Sequence, residues 1–307
     1  MSRLPQTAVV VVLLVATAVS FAVTERLKLE RSPITATKVD KVFSPVCECV
    51  RDVAVISFVL RRSQTVTLDI LDSRGNVVRT LVRKEHQPRG RVSYTWDGLD
   101  DAGMPVPDGR YRPRVHLARH GRTIVLPNWI RVDTTAPVIR LVRVVPRVFS
   151  PDGDGRRDRI DATFVTDEPA RAMMLVDGRR RVFDRYRKTS GKLTWYGQIR
   201  GRPAKPGVYE IRLRAVDEAG NTSMRTRAVD VRVRYVELTR ARIAATAGRR
   251  FRVHVLTDAR SYRWRIAGRA GVARSPVLML RAPDTPGDYA LYVRVGAHAD
   301  RALVTVR

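Results

Sequence analysis

The chain repeats itself. Lys-Val-Phe-Ser-Pro at 41–45 returns as Arg-Val-Phe-Ser-Pro at 147–151, and the same offset carries Asp52 onto Asp158 and Phe58 onto Phe164. Trp96-Asp97-Gly98 is matched by Trp195-Tyr196-Gly197. Pro107-Asp108-Gly109-Arg110-Tyr111 is matched by Lys205-Pro206-Gly207-Val208-Tyr209. A weaker third copy keeps Trp264 and Thr285-Pro286-Gly287-Asp288-Tyr289. Repetition at roughly domain length restricts the chain to an array of one module, because each copy has to bury the same faces.

The module is built of strands. Ala54, Ile56, Phe58 and Leu60 alternate with their neighbours, as do Val66, Leu68 and Ile70 after a polar break, which is the period of a half-buried strand. Asp72-Ser73-Arg74-Gly75-Asn76 is a turn by composition, and Val92, Tyr94 and Trp96 resume the alternation. No helical period occurs beyond residue 31. The expected fold is therefore all-β, tandem Ig-like β-sandwiches. One amino-terminal membrane-spanning helix is expected to precede them. The expected divisions are a signal anchor and stalk at 1–31 and sandwiches at 32–137, 138–237 and 238–307. Trp96, Trp195 and Trp264 are expected to fill the space between sheets. Tyr111, Tyr209 and Tyr289 are expected at sandwich corners, where Gly permits the turn and the hydroxyl finds an acceptor.

Residues 8–23 form an uncharged apolar run, AVVVVLLVATAVSFAV, after Arg3 and before Thr24–Arg31. Its length lies between a signal-peptide core and a full membrane span. We expect an uncleaved anchor, single-pass in the cell membrane, with the carboxy-terminal region extracytoplasmic. Cleavage at Ser20-Phe21-Ala22 would instead release a secreted protein. Orientation does not follow from charge, since Arg26, Lys28 and Arg31 oppose Arg3 and the terminal amine.

The net charge of +28 brings polyanions to mind. The excess is spread over every segment, with no basic tail, and 51 of the 58 cationic residues are Arg, a bias more easily explained by a GC-rich genome than by selection for phosphate contacts. Base-stacking aromatics beside the basic residues are not evident, so nucleic acid is the disfavoured partner and an envelope polymer or protein the favoured one. Outward Arg112, Arg114, Arg212 and Arg214 are candidates for distributed contact with anionic polymers, the other reading being that they serve solubility. Cys47 and Cys49 fit neither a redox pair nor a zinc set; they are either a short disulfide or two free thiols. In the repeat alignment they replace Gly153 and Gly155, which suggests a disulfide stiffening that loop in an oxidising compartment.

Asp152, Asp154 and Asp158 occupy positions 1, 3 and 7 of a glycine-rich loop, a spacing that can gather oxygens around Ca²⁺. Arg156 at position 5 and the lack of Glu at 12 break the EF-hand pattern, so the other reading is a plain Gly/Asp turn. No other cofactor is suggested. His116 and His120 are spaced as a helical metal pair, but strand alternation turns His116 outward and parts them. No nucleophile elbow, phosphate loop or dinucleotide fingerprint is present. A non-enzymatic chain is expected.

The segment Tyr94–Tyr111, YTWDGLDDAGMPVPDGRY, resembles the Ig-like module of the flagellar hook-capping protein (FlgD-type), found also in many bacterial surface proteins. Phe149–Gly155 and Val216–Asn221 resemble related extracellular repeats, and Asp133–Pro137 resembles the linker between them. The resemblance implies an extracytoplasmic binding or structural module. A role in flagellar assembly would rest on that resemblance alone.

Overall fold

The computed structural model describes the backbone of residues 4–29 and 32–307, and side chains there apart from 4–7, 23–29 and 120. Helix Leu4–Leu29 opens the chain, and everything after it is strand or connection except the 3-10 turn Ala118–His120. The alternation read from the sequence is the burial pattern. Ala54, Ile56, Phe58, Leu60, Val66, Leu68 and Ile70 are all fully buried.

The expected membrane-spanning helix is not supported. Among the described residues no helix is long and apolar enough to cross a membrane. The 16-residue uncharged run rises about 24 Å at 1.5 Å per residue, against a hydrocarbon core of about 30 Å. Arg3 and Arg31, used in the orientation argument, lie outside the described residues.

Two compact units divide the chain, 1–134 and 135–307. In the first, a three-stranded sheet (Ile34–Val39, Ala54–Leu60, Gly90–Trp96) and a larger one enclose an apolar cluster. The larger sheet runs Val42–Phe43, Ile130–Val132, Gly109–Leu117, Gln64–Leu71, Val77–Gln87. The opening segment serves both sheets. Ile34–Val39 is antiparallel to Ala54–Leu60, whereas Val42–Phe43 is parallel to Ile130–Val132.

The second unit holds this topology twice, around two further clusters. In its first half, Ile139–Val145 pairs antiparallel with Ile160–Val176 and Val148–Phe149 pairs parallel with Val229–Val233. The 17-residue strand Ile160–Val176 belongs to both sheets. Its first part pairs with Lys188–Trp195 and its later part with Gly207–Val216. Pro169 sits where the strand changes sheet, the place in a long strand where a missing N–H costs little. In the second half, Arg242–Ala245 runs parallel to His298–Val306, which continues through Gly287–Val295 to the hairpin Tyr262–Ile266/Arg269–Ala273.

The repeated motifs are two halves of one joint. Phe43 meets Trp96 edge-on at 5.5 Å between centroids, and Trp96 meets Tyr111 at 5.1 Å. Phe149, Trp195 and Tyr209 repeat this at 5.5 and 5.7 Å. A Cβ on Gly98 would come within 3.0 Å of Pro45, and one on Gly197 within 2.6 Å of Pro151. Phe-Ser-Pro thus caps Trp-x-Gly: Phe takes the indole edge and Pro takes the space of the missing side chain. Trp264 departs from this pattern. It points inward beside Tyr262 and Ile266 but stays partly exposed, lying against side-chain-free Gly271.

Candidate functional site

The two copies of the loop after Phe-Ser-Pro share a frame and differ in filling. Ser44 N donates to Arg51 O at 2.9 Å, and Ser150 N to Arg157 O at 3.1 Å. Both serines are fully buried. In the first unit the loop is closed by a Cys47–Cys49 disulfide with the Cα atoms 5.2 Å apart. In the second, Asp158 does that work, accepting from Gly153 N and Gly155 N at 2.7 Å each. Asp154 accepts from Arg156 N at 2.7 Å.

Asp152, Asp154 and Asp158 each present a carboxylate oxygen within 4.8 Å of the others, so the loop offers three hard ligands to a divalent cation. Burial and the neighbouring Asp154 push Asp152 up to about 6. Next to the loop, the Ser150 hydroxyl donates to Asp258, whose carboxyl burial also raises.

The aromatic residues are occupied structurally. Trp96 Nε1 donates to Leu99 O at 3.0 Å and Trp195 Nε1 to Gln198 O at 3.2 Å. Each corner tyrosine donates to the carbonyl four residues before it: Tyr111 to Pro107 at 2.7 Å, Tyr209 to Lys205 at 2.9 Å, and Tyr289 to Thr285 at 2.9 Å. His116 Nδ1 lies 3.0 Å from the Thr123 hydroxyl, on the strand Gly109–Leu117. His120 is in the following 3-10 turn, where only its backbone is described.

The four outward arginines are less free than the sequence suggests. Arg114 pairs with Asp69 at 2.7 Å and Arg212 with Glu210 at 2.6 Å. Arg214 Nε donates to Ser223 O at 2.9 Å, and the Arg112 guanidinium lies 4.0 Å over the Trp129 ring.

Sequence reasoning missed two open clefts flanking the hairpin Gln198–Ile199/Arg202–Pro203. One, of about 520 Å³, is lined by Arg200, Arg202, Lys205 and Tyr209. The other, of about 610 Å³, is lined by Tyr196, Gln198, Arg157, Arg159, Asp158 and Asp161. The signal was available in the repeat alignment, as a change of charge at matching positions.

A family model described as the FlgD Ig-like domain matches residues 53–121. That span contains Tyr94–Tyr111, so the resemblance read from those residues holds for this part of the chain. No curated protein matches. Among solved structures, the fibronectin(III)-like modules of Clostridium thermocellum CbhA are 16% identical, covering 64% of this chain and 92% of that one at a TM-score of 0.35. FlgD from P. aeruginosa is 23% identical, covering 38% and 84% at 0.24. A 1.5-MDa bacterial ice-binding adhesin is 13% identical, covering 90% and 97% at 0.30.

Proposed function

We propose that the chain is a non-enzymatic interaction scaffold: three Ig-like sandwiches, at 32–137, 138–237 and 238–307, held outside the cytoplasm by the amino-terminal segment and contacting an envelope polymer or protein. The observation that carries this reading is the reuse of the Phe-Ser-Pro/Trp-x-Gly joint. A chain that rebuilds one core and keeps its aromatics inside it invests in a spaced array of surfaces rather than in one reaction centre. The Cys47–Cys49 disulfide supports export, because disulfides persist in oxidising compartments.

The rival reading, a cytosolic nucleic-acid-binding protein, draws only on the net charge. Protease shaving of intact cells expressing the full chain with a carboxy-terminal tag separates the two. Loss of the tag while cytosolic markers stay intact is the expected result. A tag that survives on wall-stripped cells as well overturns the exported scaffold.

A further inference from the structure

We infer that the hairpin tip of the second sandwich, Tyr196–Lys205, binds an anionic polysaccharide. This rests on the exported-scaffold reading and locates its binding surface. The first unit supplies an internal control, because its corresponding corner has the same backbone and the opposite charge. Val106 N donates to Gly98 O at 2.9 Å, and Ala204 N to Gly197 O at 2.8 Å. Gly103 and Gly201 occupy matching turns at φ 76° and 74°. Between Asp97 and Asp108 the first corner carries four Asp and no cation, while Tyr196–Gly207 carries Arg200, Arg202 and Lys205 and no acid.

The acids of the first corner hold it together. Asp97 accepts from Leu99 N, Asp100 from Ala102 N and Met104 N, Asp101 from Thr80 N, and Asp108 from Thr134. The cations of the second have no such work. Arg200, Arg202 and Lys205 are exposed, and their side chains make no hydrogen bond or ion pair among the described residues. Arg200 even holds the left-handed first position of the turn, at φ 52°, where Asn or Gly is the less strained choice. Charge that the fold does not use is free to meet a partner.

The surroundings choose the partner's chemistry. Three unpaired cations line one cleft and match carboxylate or phosphate groups. Across the hairpin, Tyr196 stands 55% exposed where the first corner has Asp97, with the Arg159 guanidinium 5.8 Å from its ring. A flat exposed ring suits the apolar face of a sugar, and Gln198 beside it suits hydroxyls. Asp158 and Asp161 in the same cleft can accept hydrogen bonds from sugar hydroxyls.

The test is binding of the full chain to polygalacturonate, with polyglycerol phosphate, neutral dextran and single-stranded DNA as comparison probes. Arg200→Asn/Arg202→Gln/Lys205→Gln is compared with Arg250→Gln/Arg274→Gln/Arg301→Gln, an equal loss of exposed charge on the third sandwich. Arg200→Asn suits the turn, so the first triple variant folds. The expected result is salt-sensitive wild-type binding to polygalacturonate, weakened roughly tenfold by the hairpin triple and less than twofold by the control. Binding to polyglycerol phosphate and not to polygalacturonate overturns the polysaccharide assignment. Equal loss in both variants overturns the site while leaving a diffusely charged scaffold. DNA bound more tightly than either polymer overturns the ligand class. No wild-type binding to any anionic polymer overturns the site, while the shaving result decides the scaffold reading separately.

Discussion

At the level of single residues, the joint between Phe-Ser-Pro and Trp-x-Gly makes the sharpest forecast. Gly197 and Gly153 both hold left-handed backbone, at φ 64° and 80°. They differ in space: a Cβ on Gly197 meets Pro151 at 2.6 Å and Phe149 at 2.9 Å, whereas Gly153 has nothing within 4 Å. Gly153→Ala therefore costs about 1 kcal/mol for backbone strain alone. Gly197→Ala adds overpacking and costs about 3 kcal/mol. Urea unfolding of both variants checks this, and equal losses would show that the Pro151 contact contributes nothing. Tyr209→Phe removes one hydroxyl bond to Lys205 O and is expected to cost about 1 kcal/mol in the same assay. The sequence made these residues visible as repeats. It did not show that Pro151 faces Gly197, since 46 residues of unrelated path separate them and nothing in either motif names its partner.

At the level of elements, strands were legible wherever one face is buried, because alternation records burial directly. The long strand Ile160–Val176 was not. Its Thr166-Asp167-Glu168-Pro169 stretch has the composition of a turn, yet it is the corner at which one strand passes between sheets, a tertiary arrangement that local composition does not encode. Turns are the other element whose chemistry can be tested. Asp177-Gly178, Arg200-Gly201 and Ala267-Gly268 are two-residue loops with both φ values positive, the twist that matches right-handed strands. Ala267, at φ 46°, gains nothing from that conformation, while an Asn side chain tolerates it. Ala267→Asn is expected to stabilise the chain by about 0.5–1 kcal/mol, read as a higher thermal midpoint. A lower midpoint would mean that the turn relaxes out of the left-handed region.

For the molecule as a whole, the two sandwiches within residues 135–307 are tied to each other by side-chain bonds. Ser150 donates to Asp258, the Thr257 hydroxyl donates to Tyr235 O at 2.7 Å, and the Tyr235 ring stacks on His298 at 3.5 Å between centroids. These contacts were not legible in the sequence, because Ser150 and Asp258 are 108 positions apart and lie in different repeats. Their consequence is a dependence on pH. Asp152, pushed to about 6 by burial and by Asp154, lies close enough to feel Asp258 as well. Its ordinary value is 3.8, so the folded chain binds this proton more tightly than the unfolded chain does. The contribution to stability therefore falls as pH rises from about 4 to about 6, and is constant outside that window. Asp152→Asn keeps the site neutral at every pH. The variant should match the wild type below about pH 4, gain on it through the window, and stay more stable above about pH 6. Comparing the two proteins cancels the titration of the carboxylates that do not interact with Asp152, and calorimetry of the full chain at pH 4, 5, 6 and 7.5 reads the difference. An advantage that is constant with pH would show that Asn acts through packing. One that grows toward acid would reverse the sign and mean that Asp152 is held in its charged form, as it would be by a cation bound in the loop.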